Sequence, residues 1–155
     1  MTNRRPPHAP TPPAAGWFLF DGSCGLCSQG VVRSEGILRR ARLERLPLQT
    51  EWVSAHFGLD PTRPPEEVRV LLGSGETFTG ADAYRYICGQ IGWLQPIAAM
   101  SRLPVARAIF DSVYRIVARH RRKISRVCGF TPLIELKLTE LKETAAEKER
   151  THPHR

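Results

Sequence analysis

The stretch WFLFDGSCGLCSQGVV, residues 17–32, decides how the chain begins to fold and where its chemistry lies. Residues 17–21 form a short apolar and aromatic run bounded by glycines, which is typical of a buried strand. Cys24 and Cys27 follow directly, and apolar residues then recur at helical spacing. We therefore expect a strand, a turn and a helix, with Ser23 as the N-cap of the helix.

The remaining elements are predicted from their patterns in the same way. The first helix is expected to run on to the Arg39–Arg42 cluster, and RLERLPLQ then predicts a second strand that lies at an edge or ends at Pro47. TEWVSAHFG predicts a short helix, EVRVLLGSGETFTG a hairpin that turns at Gly73-Ser74-Gly75, and residues 81–89 another helix. The C-terminal part is mostly helical, and one apolar face follows Pro104; its members are Val105, Ile109, Val113, Ile116 and Val117.

This order of elements is that of a small α/β domain with a mixed sheet. Strand, helix, strand, helix, hairpin and helix, followed by additional C-terminal helices, is the order found in the thioredoxin-like fold. We expect a disordered proline-rich leader at residues 1–15 and a thioredoxin-like domain with its C-terminal helical extension at residues 16–130. Residues 131–155 are expected to form a charged tail, helical or disordered.

The composition limits the classes of protein to which the chain can belong. Its 155 residues suffice for one domain, and no apolar run approaches the roughly 18 residues that cross a bilayer. The net charge of +8 permits acidic partners, but no nucleic-acid-binding motif accompanies it, and we expect no nucleic-acid partner. Four cysteines without a secretory signal indicate a cytoplasmic protein whose cysteines are catalytic, metal-binding or inert.

The pair of Cys24 and Cys27 has three interpretations. As a redox centre, Cys24 would lie at the helix N-terminus, where backbone N–H groups and the helix dipole favour its thiolate. Cys27 would lie one turn later, shielded by the helix, as the resolving thiol for the nucleophile Cys24. As a metal site, the pair would need two more ligands, but Cys88 and Cys128 are isolated in the sequence. As inert residues, both would be small core side chains. The position between a strand and a helix favours the redox centre.

The chain resembles a known family from this motif onward. Asp21-Gly22-Ser23-Cys24-Gly25-Leu26-Cys27 matches the Asp-x-x-Cys-x-x-Cys signature of the DCC family of thiol–disulfide oxidoreductases. Leu48-Gln49 is similar to the end of that family's second strand, and Gly80-Ala81-Asp82-Ala83 to the segment before its third helix. The last helix is similar to the family's C-terminal pattern at six positions: Pro104, Asp111, Tyr114, Ala118, Arg119 and Arg121. The resemblance extends over residues 17–128, most of the part expected to fold.

The resemblance implies a thioredoxin-like fold and a dithiol–disulfide activity, without a physiological substrate. Our leading hypothesis is an enzyme that exchanges electrons between its dithiol and disulfides of proteins or small thiols. An external thiol reductant would recycle it, and no bound metal, flavin or nucleotide is implied. Asp21 is a third candidate site residue, because a carboxylate at this place could exchange a proton with the dithiol. The alternative, that Asp21 hydrogen-bonds the backbone of the Gly22-Ser23 turn, stays open.

A basic segment, residues 119–126, ends the long C-terminal helix. Its cations favour a solvated helix terminus, where they offset the helix dipole. The rival hypothesis treats the chain as a non-catalytic interaction module, in which a thioredoxin-like core displays this basic helix to an acidic partner.

Overall fold

A computed structural model describes residues 15–60, 63–101, 103–132 and 134. This part of the chain contains four strands: β1 (Gly16–Phe20), β2 (Leu43–Pro47), β3 (Arg69–Leu72) and β4 (Thr77–Thr79). It also contains six α-helices: α1 (Gly25–Arg33), α2 (Glu35–Arg40), α3 (Glu51–Phe57), α4 (Gly80–Gly89), α5 (Gln95–Met100) and α6 (Pro104–Val127). The leader and tail expected at residues 1–15 and 131–155 lie almost entirely outside the described residues and stay predictions.

The strands form one mixed sheet in the order β2-β1-β3-β4. β1 pairs in parallel with β2 and antiparallel with β3, and β3 and β4 form the antiparallel hairpin predicted around Gly73-Ser74-Gly75. β2 lies at an edge, as Pro47 predicts, because proline cannot donate a hydrogen bond to a further strand. The α/β class is confirmed, and the four-stranded mixed sheet with its six described helices is consistent with the thioredoxin-like fold.

β1 is buried on both faces, which explains why its sequence is a continuous apolar run instead of an alternating one. Trp17 and Leu19 pack with Val53 of α3 on one face of the sheet. Phe18 and Phe20 pack on the other face with residues of α1, α2 and α4: Val31, Leu38, Ala83 and Ile87. The chain leaves this strand directly into the Asp-x-x-Cys-x-x-Cys motif, so the motif begins from a rigid and deeply buried element.

The first helix, predicted as one continuous element, is two helices that meet at Ser34. The hydroxyl and the backbone N–H of Ser34 both donate to the carbonyl oxygen of Gly30, at 2.7 and 2.9 Å. A serine that bonds to the preceding turn in this way favours a helix end or bend. The expectation of one helix was therefore wrong, although both helices keep a buried face through Val31 and Leu38.

α6 begins at Pro104, as predicted, and is the longest of the described helices. One of its sides contacts the body of the protein: the backbone N–H of Val68 donates to the hydroxyl of Tyr114 at 3.4 Å, and Arg121 is buried. The apolar face predicted along this helix lies instead on the exposed side. In the part of the chain that the structure describes, no helix is both long enough and apolar enough to cross a membrane.

Candidate active site

Cys24 occupies the N-cap position of α1, four residues beyond the end of β1. Its backbone is extended, and its sulfur accepts a hydrogen bond from the backbone N–H of Cys27 at 3.3 Å. Ser23 was wrongly predicted as the N-cap, because its hydroxyl donates instead to the carboxylate of Asp21 at 2.6 Å. The Cys24 sulfur therefore lies at the unpaired N–H groups and the positive end of the helix dipole.

The sulfurs of Cys24 and Cys27 lie 2.8 Å apart, and the Cys27 thiol donates to Cys24. This hydrogen bond is the largest influence on the pKa of each cysteine. It lowers the pKa of Cys24 from 9.0 to about 6, aided by the Cys27 backbone N–H and opposed by burial. The same bond, together with burial, raises the pKa of Cys27. These opposite shifts favour a Cys24 thiolate beside a Cys27 thiol, which is the arrangement that thiol–disulfide exchange needs.

Asp21 is fully buried between β1 and the motif cysteines. Its Oδ1 accepts hydrogen bonds from the backbone N–H and hydroxyl of Ser23 and from the side-chain amide of Gln49, at 3.0, 2.6 and 2.8 Å. The Oε1 atom of Gln49 in turn accepts from the backbone N–H of Gly22 at 3.1 Å. This geometry supports the turn-fixing interpretation of Asp21 and adds Gln49 to the same turn.

The second carboxylate oxygen of Asp21, Oδ2, faces two arginines of α6. It lies 3.4 Å from Nη2 of Arg121 and 3.6 Å from Nη2 of Arg122. Arg121 is buried and also donates to the backbone carbonyl oxygen of Pro65, whereas Arg122 is about half exposed. The expectation of a solvated basic segment was wrong at Arg121, because a fully buried carboxylate requires a buried partner for its charge.

Arg121 links α6 to the dithiol through its charge. The guanidinium lowers the pKa of both Cys24 and Cys27, while the carboxylate of Asp21 raises both. In the sequence, Arg121 is one cation of a charged run and one position of the family pattern. Its place in the site depends on a tertiary contact with a residue far away in the chain, which no local pattern reports.

A cavity of about 470 Å³ lies beside Cys27, between the sheet and the helices. Its walls are mainly apolar, and Tyr84, Tyr114 and Arg121 are its largest polar side chains. Burial raises the pKa of both tyrosines, so their hydroxyls stay protonated at neutral pH. A cavity of this size and character can hold the apolar part of a substrate next to the dithiol.

The chain that follows α6 packs against the start of α1. A Cβ atom on Gly25 would lie 2.0 Å from the carbonyl oxygen of Phe130, so only glycine fits at position 25. Cys24, which precedes it, is only 2% exposed, whereas Cys27 is partly exposed. Cys27 is thus partly shielded, and the sulfur-bearing end of the helix nearer to Phe130, which carries Cys24, is also covered.

A family model matches the part of the chain that carries these features. Residues 18–127 match the model of the DCC1-like thiol-disulfide oxidoreductase family, and this span includes Asp21, both motif cysteines and Arg121. The chain belongs to this family. The resemblance seen in the sequence is thereby confirmed. No match was found among the curated proteins or among the solved structures.

The other two cysteines of this DCC1-like chain occupy different environments. Cys88, on α4, is partly exposed and lines the cavity, and burial raises its pKa. Cys128 is exposed at the C-cap of α6. Within the described ranges, no group of three or more His, Cys, Asp or Glu side chains is placed so that it could hold a metal ion.

Proposed function

We propose that the protein exchanges electrons between the dithiol of Cys24 and Cys27 and disulfides of protein or small-thiol substrates. The observation that carries the proposal is the 2.8 Å contact between the two sulfurs, with Cys24 at the N-cap of α1. The helix terminus and the Cys27 thiol stabilise a Cys24 thiolate, and the second thiol is already within reach of it. A cytoplasmic location, where an external thiol reductant is available, is part of this proposal.

In the first step the Cys24 thiolate attacks one sulfur of the substrate disulfide. A bond forms between Cys24 and that sulfur, the substrate disulfide bond breaks, and the other substrate sulfur leaves as a thiolate. Cys27 then attacks the Cys24 sulfur, which closes a disulfide between the two cysteines and releases the second substrate sulfur. The proton of Cys27 passes to a leaving thiolate, and two electrons pass from the dithiol to the substrate. Two molecules of an external thiol restore the dithiol by the reverse exchange and leave as their own disulfide.

The opposite pKa shifts of the two cysteines fit this order of steps. While Cys24 is a thiolate, it accepts the hydrogen bond of Cys27 and raises the pKa of that thiol. In the mixed disulfide the Cys24 sulfur carries no charge, so the main cause of the raised pKa is removed. Cys27 then loses its proton more readily, and its attack follows that of Cys24 instead of competing with it.

Access to Cys24 is the main demand that this chemistry places on the fold. The cavity beside Cys27 adjoins the dithiol on one side, and the backbone of Phe130 packs against Gly25 on another. Displacement of the chain around Phe130 would uncover the end of α1 that carries Cys24. A substrate whose disulfide is flanked by an apolar group would be held by the cavity while its sulfur reaches Cys24.

We assign Asp21 and Arg121 as positioning residues instead of proton carriers. One oxygen of Asp21 already accepts three hydrogen bonds, and the other faces two guanidinium groups. The pair connects the turn before Cys24 to α6, and thereby fixes the N-terminus of α1 relative to the helix that covers it.

Reduction of a model disulfide peptide, with glutathione as the recycling thiol, tests the proposal. Cys24→Ser should abolish turnover, and Cys27→Ser, when it is mixed with the peptide before glutathione is added, should accumulate a mixed disulfide on Cys24 because no resolving thiol is then present. Cys128→Ser is the matched control, since this cysteine is exposed at the C-cap of α6, and it should retain wild-type turnover. Turnover by Cys24→Ser, or a mixed disulfide trapped on Cys27 in the wild type, would contradict the assigned roles.

A further inference from the structure

Four large apolar side chains of α6 face solvent along one side of the helix. We call them the apolar stripe: Val105, Ile109, Val113 and Ile116. Their exposed fractions are 72%, 59%, 56% and 60%. They are spaced by four, four and three residues, so they lie above one another on a single helical face. A contiguous apolar patch that is exposed on a protein surface marks an interaction site more often than scattered apolar residues do.

The opposite side of α6 contacts the body of the protein. Tyr114 accepts from the backbone of Val68, Asp111 pairs with Arg85 of α4, and Arg121 pairs with Asp21. These contacts fix the rotation of the helix about its axis. The helix therefore cannot bury the apolar stripe by turning inward without breaking the contacts that hold the dithiol site.

Positive charge follows the apolar stripe towards the C-terminal end of the helix. Five exposed cations lie on the later turns of α6: Arg115, Arg119, Arg122, Lys123 and Arg126. Arg122 also faces Asp21, so the other four are the ones available to a partner. Asp111 is the only acidic residue of α6, and it is held by Arg85. The chain just before α6 adds further exposed apolar side chains: Trp93, Ile97, Met100 and Leu103.

We propose that α6 docks on the surface of an anionic lipid membrane. An amphipathic helix with aliphatic side chains on one face, cations outside that face and low overall hydrophobicity lies in the plane of a membrane interface. The aliphatic side chains enter the boundary between headgroups and acyl chains, and the cations contact the anionic headgroups. This activity is independent of the proposed dithiol chemistry.

The charge of α6 distinguishes this partner from a second copy of the chain. Two copies that paired in parallel through their apolar stripes would bring Arg115, Arg119 and Lys123 of each helix towards the same cations of the other. In an antiparallel pair the only carboxylate that the partner's α6 could offer these cations is Asp111. The one carboxylate of the helix, Asp111, lies on the inner side with Arg85 and cannot offset that repulsion. An anionic surface offers the complementary charge to the later turns of the helix while the apolar stripe enters the interface.

Co-sedimentation of the full chain with phospholipid vesicles tests the proposal. We expect binding to phosphatidylcholine vesicles that contain phosphatidylglycerol, and none to vesicles of phosphatidylcholine alone. Binding should weaken as the salt concentration rises from about 0.1 M to about 1 M, because the screening length falls from about 10 Å to about 3 Å. Failure of the full chain to bind the anionic vesicles would overturn the proposal. This holds equally if the termini of the chain, or a second copy, cover the apolar stripe and prevent binding.

Variants of the apolar stripe show whether vesicle binding requires its aliphatic side chains or only the attraction between opposite charges. Ile109→Glu combined with Val113→Glu should weaken vesicle binding at least about tenfold, which corresponds to about 1.4 kcal/mol. Val32→Glu is the matched control, since Val32 is a 47% exposed valine on α1, away from the stripe, and should lower binding much less. Far-ultraviolet circular dichroism verifies folding, and Ile109→Ser with Val113→Ser provides a milder second variant.

Two results would overturn the proposal at this stage. The first is vesicle binding by both stripe variants that equals that of the wild type, since the attraction would then come from charge alone. The second is a dimer in sedimentation equilibrium that the stripe variants convert to a monomer, since the stripe would then be a contact between copies.

Discussion

Replacement of Arg121 tests how strongly its ion pair with Asp21 joins α6 to the turn before Cys24. Nη2 of Arg121 lies 3.4 Å from Oδ2 of Asp21, and the two side chains are 8% and 0% exposed. Two unit charges at this separation interact by about 5 kcal/mol at an effective dielectric constant of about 20. Arg122 retains part of the attraction, since it lies 3.6 Å from the same oxygen, although it is 46% exposed. We therefore expect Arg121→Met to lower the free energy of unfolding by about 3 kcal/mol, the lower end for a broken buried pair.

A double-mutant cycle separates the charge pair from other effects of the substitutions. Asp21→Asn keeps Oδ1 as an acceptor but removes the charge, and it should cost a similar amount because Arg121 then lacks its buried partner. The double variant should lose at least about 1.5 kcal/mol less than the sum of the two single variants. Urea unfolding of the reduced protein, followed by circular dichroism, measures the four free energies.

An exposed ion pair of the same length provides the control. Arg45 and Glu35 also lie 3.4 Å apart, but their side chains are 40% and 63% exposed. The cycle built from Arg45→Met and Glu35→Gln should give a coupling energy below about 1 kcal/mol. A coupling between Asp21 and Arg121 no larger than this would refute the reasoning that burial makes their pairing strong.

Three further predictions concern the dithiol and the chain that covers it. Because the pKa of Cys24 falls from 9.0 to about 6 on folding, the stability of the reduced protein should rise between about pH 6 and pH 9. This gain is lost as the pH falls back through about 6, and urea unfolding of Cys24→Ser should lack it. Arg121→Met should raise the pKa of Cys24 and Asp21→Asn should lower it, as measured by the ultraviolet absorbance of the thiolate; the reverse order would contradict the charge effects described above. Gly25→Ala should destabilise the fold by about 1–3 kcal/mol and speed alkylation of Cys24, because its Cβ would lie 2.0 Å from a backbone oxygen of the segment after α6. Gly30→Ala, with open space around it on the same helix, should be neutral or stabilising, and equal effects of the two alanines would contradict the steric argument.

The start of the domain could be predicted from the sequence because its signals are local. The apolar run of β1, the glycine turn and the two cysteines follow one another within a few residues, so each element indicates the next. The edge position of β2 and the hairpin could be predicted for the same reason, since Pro47 and Gly73-Ser74-Gly75 act on their own backbone. The family match over residues 18–127 agrees with this local pattern.

The contacts that Arg121 and Gln49 make with Asp21 could not be predicted, because they form between distant parts of the chain. Arg121 lies in a run of cations that is typical of a solvated helix terminus, and only the fold brings it to the buried Asp21. Gln49 was known only as part of a family pattern, and its bond to Asp21 requires the end of β2 to lie beside the motif.

Periodicity alone also does not reveal which side of a helix is buried. The apolar positions of α6 lie on one face, as predicted, but the structure packs Tyr114 and Arg121 inward and leaves the apolar stripe exposed.

The redox equilibrium of the dithiol decides whether the proposed chemistry takes place. The full chain is equilibrated in buffers with different ratios of reduced to oxidised glutathione, quenched with an alkylating reagent and digested for mass spectrometry. We predict one internal disulfide, between Cys24 and Cys27, whose fraction follows the glutathione ratio, while Cys88 and Cys128 are linked to neither. Absence of this disulfide at every ratio, or a disulfide from Cys24 to another cysteine, would contradict the assignment of the dithiol.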